Sequence, residues 1–165
     1  MVERHHGALA LDKKAKALVA QVRMGDRSVV LAAPQTYMNL SGESLSQLIP
    51  RHGVDEPGKI VVVHDEIDLP VGALRIKVGG GSAGNNGIRS VDAHLGTPDY
   101  ARVRIGVGRP ANKNVGKVHV LAKPSKDERT ELDIVAELAA DAVETYLWHG
   151  LDETMNRFNR RPKRD

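Results

Sequence analysis

The chain has 165 residues, 41% of them hydrophobic but only 3% aromatic, so a core of useful size has to be built from Val, Leu, Ile and Ala. It contains no cysteine, which excludes disulfides, thiolate metal sites and cysteine nucleophiles. The net charge of +3 hides an asymmetry: residues 126–153 carry nine acids and two bases, leaving twelve acids and twenty-two bases elsewhere. That excess fits a polyanionic partner or a solvated basic surface. No apolar run approaches the ~20 residues of a membrane span. The start, Met1-Val2-Glu3-Arg4-His5-His6, is not followed by the apolar stretch of a signal peptide. A cytoplasmic, monomeric protein is the expectation.

In chain order, residues 17–23 and 28–34 are predicted strands joined by the turn Met24-Gly25-Asp26-Arg27, a β-hairpin. Ser41 is the predicted cap of a helix running to about His52, with Leu45, Leu48 and Ile49 at helical spacing. Residues 59–63 form a continuous apolar strand, as expected for burial on both faces. Leu74-Arg75-Ile76-Lys77-Val78 alternates, a half-exposed strand that sets Arg75 and Lys77 on one face. A loop of Gly and small residues, 79–87, leads to a helix from Ile88 to Leu95. Tyr100 to Gly108 is another strand. Residues 109–125 form a basic loop in the position of a lid. From Lys126 to His149 a long amphipathic helix carries Leu132, Val135, Ala139, Ala142 and Tyr146 on one stripe. The fold class is therefore α/β, a single domain over 1–165 with a mixed β-sheet flanked by helices on both faces.

The chemistry-bearing residues allow two readings each. His64-Asp65-Glu66 follows a strand, at the end where α/β proteins place their sites. Asp65 there either orients an imidazole and stabilises its charged form, or caps a turn. Asn39 offers donors and an acceptor to an ester and its ribose, or merely approaches the next helix. The loop ending Asn85-Asn86-Gly87 cradles phosphate, or is a flexible helix start; it is neither a P-loop nor a Rossmann turn. Arg75, Lys77, Arg102 and Arg104 share an exposed face as a phosphate clamp, or are simply solvated. The histidines show no metal-ligand spacing, and no cofactor is implied.

The blocks TYMNLSG, VVVHDEIDLP, the Gly-rich run before Asn86-Gly87, ARVRIGVGRP and the ending GLDETMNRFN occur in an order that resembles the bacterial peptidyl-tRNA hydrolases. The resemblance implies an esterase that splits peptide from tRNA and recycles tRNA from stalled or dropped-off peptidyl-tRNA, with no metal or organic cofactor. It implies that Asp65 stabilises the catalytic histidine. Tyr37, Met38, Asn39 and Asn86 would contact the acceptor end and the peptide, and Arg75, Lys77 and Arg104 would meet the phosphates. The family's GNPG loop and its TRHN segment, which holds the general-base histidine, do not occur in this sequence. Residues 2–11 look like the family's first helix just after that segment. The expectation is a chain that begins at an internal Met of a longer protein and lacks a first strand; the alternative is an inactive acceptor-stem binder. Asn85 stands where the family has His, and Ala83 where it tends to have Gly. A third reading, a generic mononucleotide-binding domain, rests on the Gly-rich loop alone.

Overall fold

The computed structural model describes residues 1–109 and 123–159. Most of the expected lid and the basic tail beyond Asn159 lie outside the described residues. The chain divides into two compact units, Met1–Ile60 with Gly79–Tyr100, and Val61–Val78 with Ala101–Asp165.

The first unit contains an antiparallel sheet of β1 (Ala10–Asp12), β2 (Ala17–Met24) and β3 (Arg27–Pro34), in the order β1-β2-β3. The predicted hairpin is present, in register from Ala17 opposite Pro34 to Met24 opposite Arg27. Gly25 turns it with φ 59°, a conformation that costs glycine nothing. Ala20, Val22 and Met24 are buried from the middle strand. Residues 2–11 are not a helix: they hold one 3-10 turn, Glu3–His5, and the start of β1, which pairs with β2. Local sequence favoured neither outcome; pairing with β2 decides it.

Helices α1 (Ser41–Arg51) and α2 (Asn86–Leu95) pack against each other in this unit. Their approach is close because Gly42 has no side chain. A Cβ there would lie 2.2 Å from the Ser90 carbonyl oxygen, and the Gly42 N–H donates to Ser90 Oγ at 2.9 Å. Ser41 is not the cap. Leu40 occupies that position without a side-chain bond, and the Ser41 hydroxyl donates back to the Met38 carbonyl at 2.7 Å.

The second unit contains β4 (Val61–Glu66), β5 (Leu74–Val78) and β6 (Ala101–Gly106) in the order β4-β6-β5. β4 runs parallel to β6 and β5 antiparallel to it, so the sheet is mixed, as expected. β4 starts later than the apolar run suggests, because Pro57–Lys59 form a 3-10 turn. It is also not buried on both faces. It flanks β6 rather than lying between two strands, and Val63 is 48% exposed. The strand enclosed on both sides is β6, with Ala101, Arg102 and Val103 all buried.

α3 (Lys126–Phe158) packs on β5 and β6. A capping box starts it: the Glu128 N–H donates to Ser125 Oγ, and the Ser125 N–H donates to Glu128 Oε2. Val135, Ala139 and Ala142 of the predicted stripe are buried, while Leu132 and Tyr146 are half-buried. The predicted stop at His149 marks a real break, Gly150 at φ 79° and ψ −174°, after which the helix resumes.

Candidate functional site

Tyr37 leads into a 3-10 turn, Met38–Leu40, that packs against α2. Tyr37 is 83% and Met38 57% exposed, an unusual presentation for two large apolar side chains. Asn39 is exposed too, and its side chain has no hydrogen-bond partner among the described residues. The turn is pressed onto the start of α2: a Cβ on Gly87 would meet Met38 Sδ at 2.7 Å. Glycine at 87 therefore makes room for the thioether.

Asn85 is the N-cap of α2, its Oδ1 accepting from the Ile88 N–H at 3.0 Å. Sequence reasoning missed this, although an Asn three residues before an apolar helical run is a recognisable cap signal. Asn86 is the first helical residue, exposed, with its amide unbonded among the described residues. It sits at the positive end of the helix dipole, where a developing negative charge is favoured. Tyr37, Met38, Asn39 and Asn86 are thus all exposed in the first unit, where the Met38–Leu40 turn packs on α2.

The second unit holds Asp65, Arg75, Lys77 and Arg104, and strand parity sorts them. His64 lies opposite Arg104, and Arg104 opposite Arg75; Lys77 lies opposite Arg102. These residues share one face with Glu66. Asp65 lies opposite Ile105, which lies opposite Leu74, on the other face. The sequence placed Asp65 just after a strand; it lies inside β4, and alternation turns it away from the arginines. The basic residues do share a face, but not as an exposed clamp. Arg102 is 1% exposed, and the Arg104 side chain is 20% exposed. The Arg75 guanidinium folds onto its own strand, Nη1 donating to the Leu74 carbonyl at 2.7 Å.

Glu66, which the sequence offers only as a neighbour of Asp65, anchors this face. It is 5% exposed, and its Oε2 accepts from Arg104 Nη2 at 3.1 Å and Nε at 3.3 Å. Finding it from sequence needs the β4–β6 register. The loop after it is tied down as well: Arg109 pairs with Asp68 at 2.8 Å, and a Cβ on Gly106 would meet the Pro70 carbonyl oxygen at 2.0 Å.

His64 Nδ1 lies 2.7 Å from the Asp65 carbonyl oxygen. A carbonyl only accepts, so Nδ1 carries the proton and Nε2 the lone pair. Nε2 is enclosed and has no hydrogen-bond partner among the described residues. Burial holds the His64 pKa below the ordinary histidine value, against the pull of the Asp65 and Glu66 charges. Burial thus favours the neutral imidazole, and its basic nitrogen is enclosed within the fold. Among the described residues no cluster of three or more His, Asp or Glu side chains could hold a metal ion, and no helix is long and apolar enough to cross a membrane.

The family model for peptidyl-tRNA hydrolase matches residues 1–165. A peptidyl-tRNA hydrolase of Rhodococcus opacus is 46% identical over 156 residues, covering 94% of this chain and 82% of that protein. One of Mycobacterium marinum is 46% identical over 147 residues, covering 89% and 76%. Among solved structures, a peptidyl-tRNA hydrolase in complex with N-propanol superposes with a TM-score of 0.89 at 29% identity, covering 99% of this chain and 82% of that one. The enzyme from Acinetobacter baumannii gives 0.88 at 30% identity, covering 96% and 80%. Sequence blocks, fold and relatives agree, and this chain belongs to the peptidyl-tRNA hydrolase family.

Proposed function

We propose that this protein hydrolyses the ester bond between peptide and tRNA, releasing tRNA for reuse, and that it works as a cytoplasmic monomer. The observation that carries the reading is the surface made by Tyr37, Met38, Asn39 and Asn86. An ester flanked by a ribose, a peptide and a base needs carboxamides that both donate and accept, next to apolar area for side chain and base. Asn39 and Asn86 polarise the ester carbonyl and hold the oxyanion as water adds; one such donor is typically worth about 10²–10³-fold in rate. The helix start at Asn86 adds its positive end. Asp65 stabilises the protonated form of the base, which then returns the proton to the departing ribose oxygen.

The water-activating histidine is the role that no residue here is assigned. The family resemblance puts it in a TRHN segment, and none of the seven histidines stands in that context. Arg104, with Arg75 and Lys77 beside it, supplies phosphate recognition. Its guanidinium keeps one nitrogen, Nη1, without a partner among the described residues.

The test is release of the amino acid from N-blocked aminoacyl-tRNA, with unblocked aminoacyl-tRNA as control. Selective release that falls about 10²-fold or more in Asp65→Ala, while tRNA binding is kept, supports the enzyme with its assigned acid. Binding without release, from folded protein, favours the acceptor-stem binder. Tight binding of a free mononucleotide, indifferent to Asn39→Ala, defeats both.

A further inference from the structure

We propose that Glu66 is a positioning residue for RNA recognition: its buried carboxylate grips one edge of the Arg104 guanidinium and sets the remaining edge for a phosphate. The proposal rests on the reading of Arg104 as a phosphate contact. An acid beside an RNA-binding arginine repels phosphate if it acts by charge alone. The geometry points to a different action.

Glu66 is fixed at both carboxylate oxygens and at its backbone carbonyl. Oε2 accepts from Arg104 Nε at 3.3 Å and Nη2 at 3.1 Å. Oε1 accepts from the Asp68 N–H at 3.1 Å, so the carboxylate cannot rotate about its own bond without losing a partner. The backbone carbonyl accepts from the Val107 N–H at 3.1 Å and the Leu69 N–H at 3.4 Å. β4, the loop after it and the end of β6 are thus locked around one side chain that is 5% exposed.

Arg104 is the partner with freedom to serve a ligand. Its side chain is 20% exposed, and Glu66 takes only the Nε–Nη2 edge. Guanidinium donors form a planar fork, so holding one edge fixes the direction of the Nη1 donors. Holding a long, flexible side chain before binding removes an ordering cost that the complex otherwise bears. In the neighbouring Arg75, Nη1 is taken by the Leu74 carbonyl of its own strand.

The experiment measures affinity of the full chain for an acceptor-stem RNA hairpin against salt concentration, for wild type, Glu66→Gln, Glu66→Ala, Arg104→Ala and the Glu66→Gln/Arg104→Ala double variant. Positioning predicts that Glu66→Gln binds about tenfold more weakly despite losing a negative charge, with a salt slope reduced by about one phosphate contact. The double variant then binds no more weakly than Arg104→Ala alone. Equal or tighter binding by folded Glu66→Gln overturns the proposal and leaves Arg104 as a contact. No effect of Arg104→Ala overturns the reading beneath it, and the proposal with it. Should the Glu66 variants not fold, wild type decides by NMR: the Arg104 Nε–H resonance, identified by its loss in Arg104→Ala, is expected to be protected from solvent exchange in the free protein. Exchange as fast as that of an exposed arginine sinks the proposal.

Discussion

The side-chain amide of Asn159 pairs with the backbone of Ile76 as a neighbouring strand would. Its Oδ1 accepts from the Ile76 N–H at 2.7 Å and its Nδ2 donates to the Ile76 carbonyl at 2.9 Å. β5 has β6 on one side only within its sheet, so this amide satisfies backbone groups on the other side and stops further pairing there. Two partly buried hydrogen bonds contribute roughly 2 kcal/mol net. Asn159→Ala should therefore lower the melting temperature by about 4–8 °C. Asn159→Asp, which keeps the acceptor but sets a charge against the Ile76 carbonyl, should be no better. A melt unchanged in Asn159→Ala would show that this contact is not formed in solution.

Gly42 and Gly87 separate stability from recognition. A Cβ at 42 meets backbone, the Ser90 carbonyl oxygen at 2.2 Å, with His94 Nδ1 at 2.4 Å; a Cβ at 87 meets Met38 Sδ at 2.7 Å, the end of a flexible side chain. Gly42→Ala forces α1 and α2 apart and should cost about 2–3 kcal/mol in denaturant unfolding. Gly87→Ala should unfold almost as wild type, yet displace Met38 and weaken substrate affinity. The reverse pattern would break the link drawn here between Met38 and the site.

Ala83 is a rarer case, a non-glycine residue at φ 50° in the loop before α2. The left-handed conformation costs an L-residue about 1–2 kcal/mol. Glycine removes that strain but adds about 0.4–1 kcal/mol of unfolded-state freedom. Ala83→Gly is thus expected to stabilise by about 0.5–1 kcal/mol, against the usual direction of this substitution, as read by chemical denaturation. A loss of stability would mean that the loop relaxes away from this conformation.

How much of this was legible in the sequence depends on how local the cause is. The hairpin, the 74–78 strand, the stripe Val135, Ala139, Ala142 and the stop at His149 follow from periodicity and turn chemistry, and all are present. β1 was not legible, because three residues form a strand only when β2 offers its edge. The proposed contacts Tyr37, Met38, Asn39 and Asn86 came from motif blocks, and they lie on the 3-10 turn and helix start of the first unit. The arginine face was half legible. Alternation gave the shared face; the burial of Arg102 and the hold of Glu66 on Arg104 depend on register between strands far apart in sequence.

His64 makes the acid limit of stability partly a matter of one side chain. Burial lowers its pKa in the folded protein, with the Arg102 charge acting in the same direction and the carboxylates of Asp65 and Glu66 opposing. The unfolded chain therefore takes up a proton at His64 before the folded one does. Its contribution to stability is complete above the ordinary histidine pKa and is lost progressively as pH falls from there toward the depressed folded value. Protonation of the fold itself would put a charged Nε2–H where no described residue offers an acceptor. Asn in place of His keeps a donor near the Asp65 carbonyl and cannot titrate. Between about pH 7.5 and 5.5, wild type should lose more unfolding free energy than His64→Asn. Parallel pH profiles for the two proteins would mean that His64 protonates as freely in the fold as in the unfolded chain, and that the enclosure of Nε2 opens in solution.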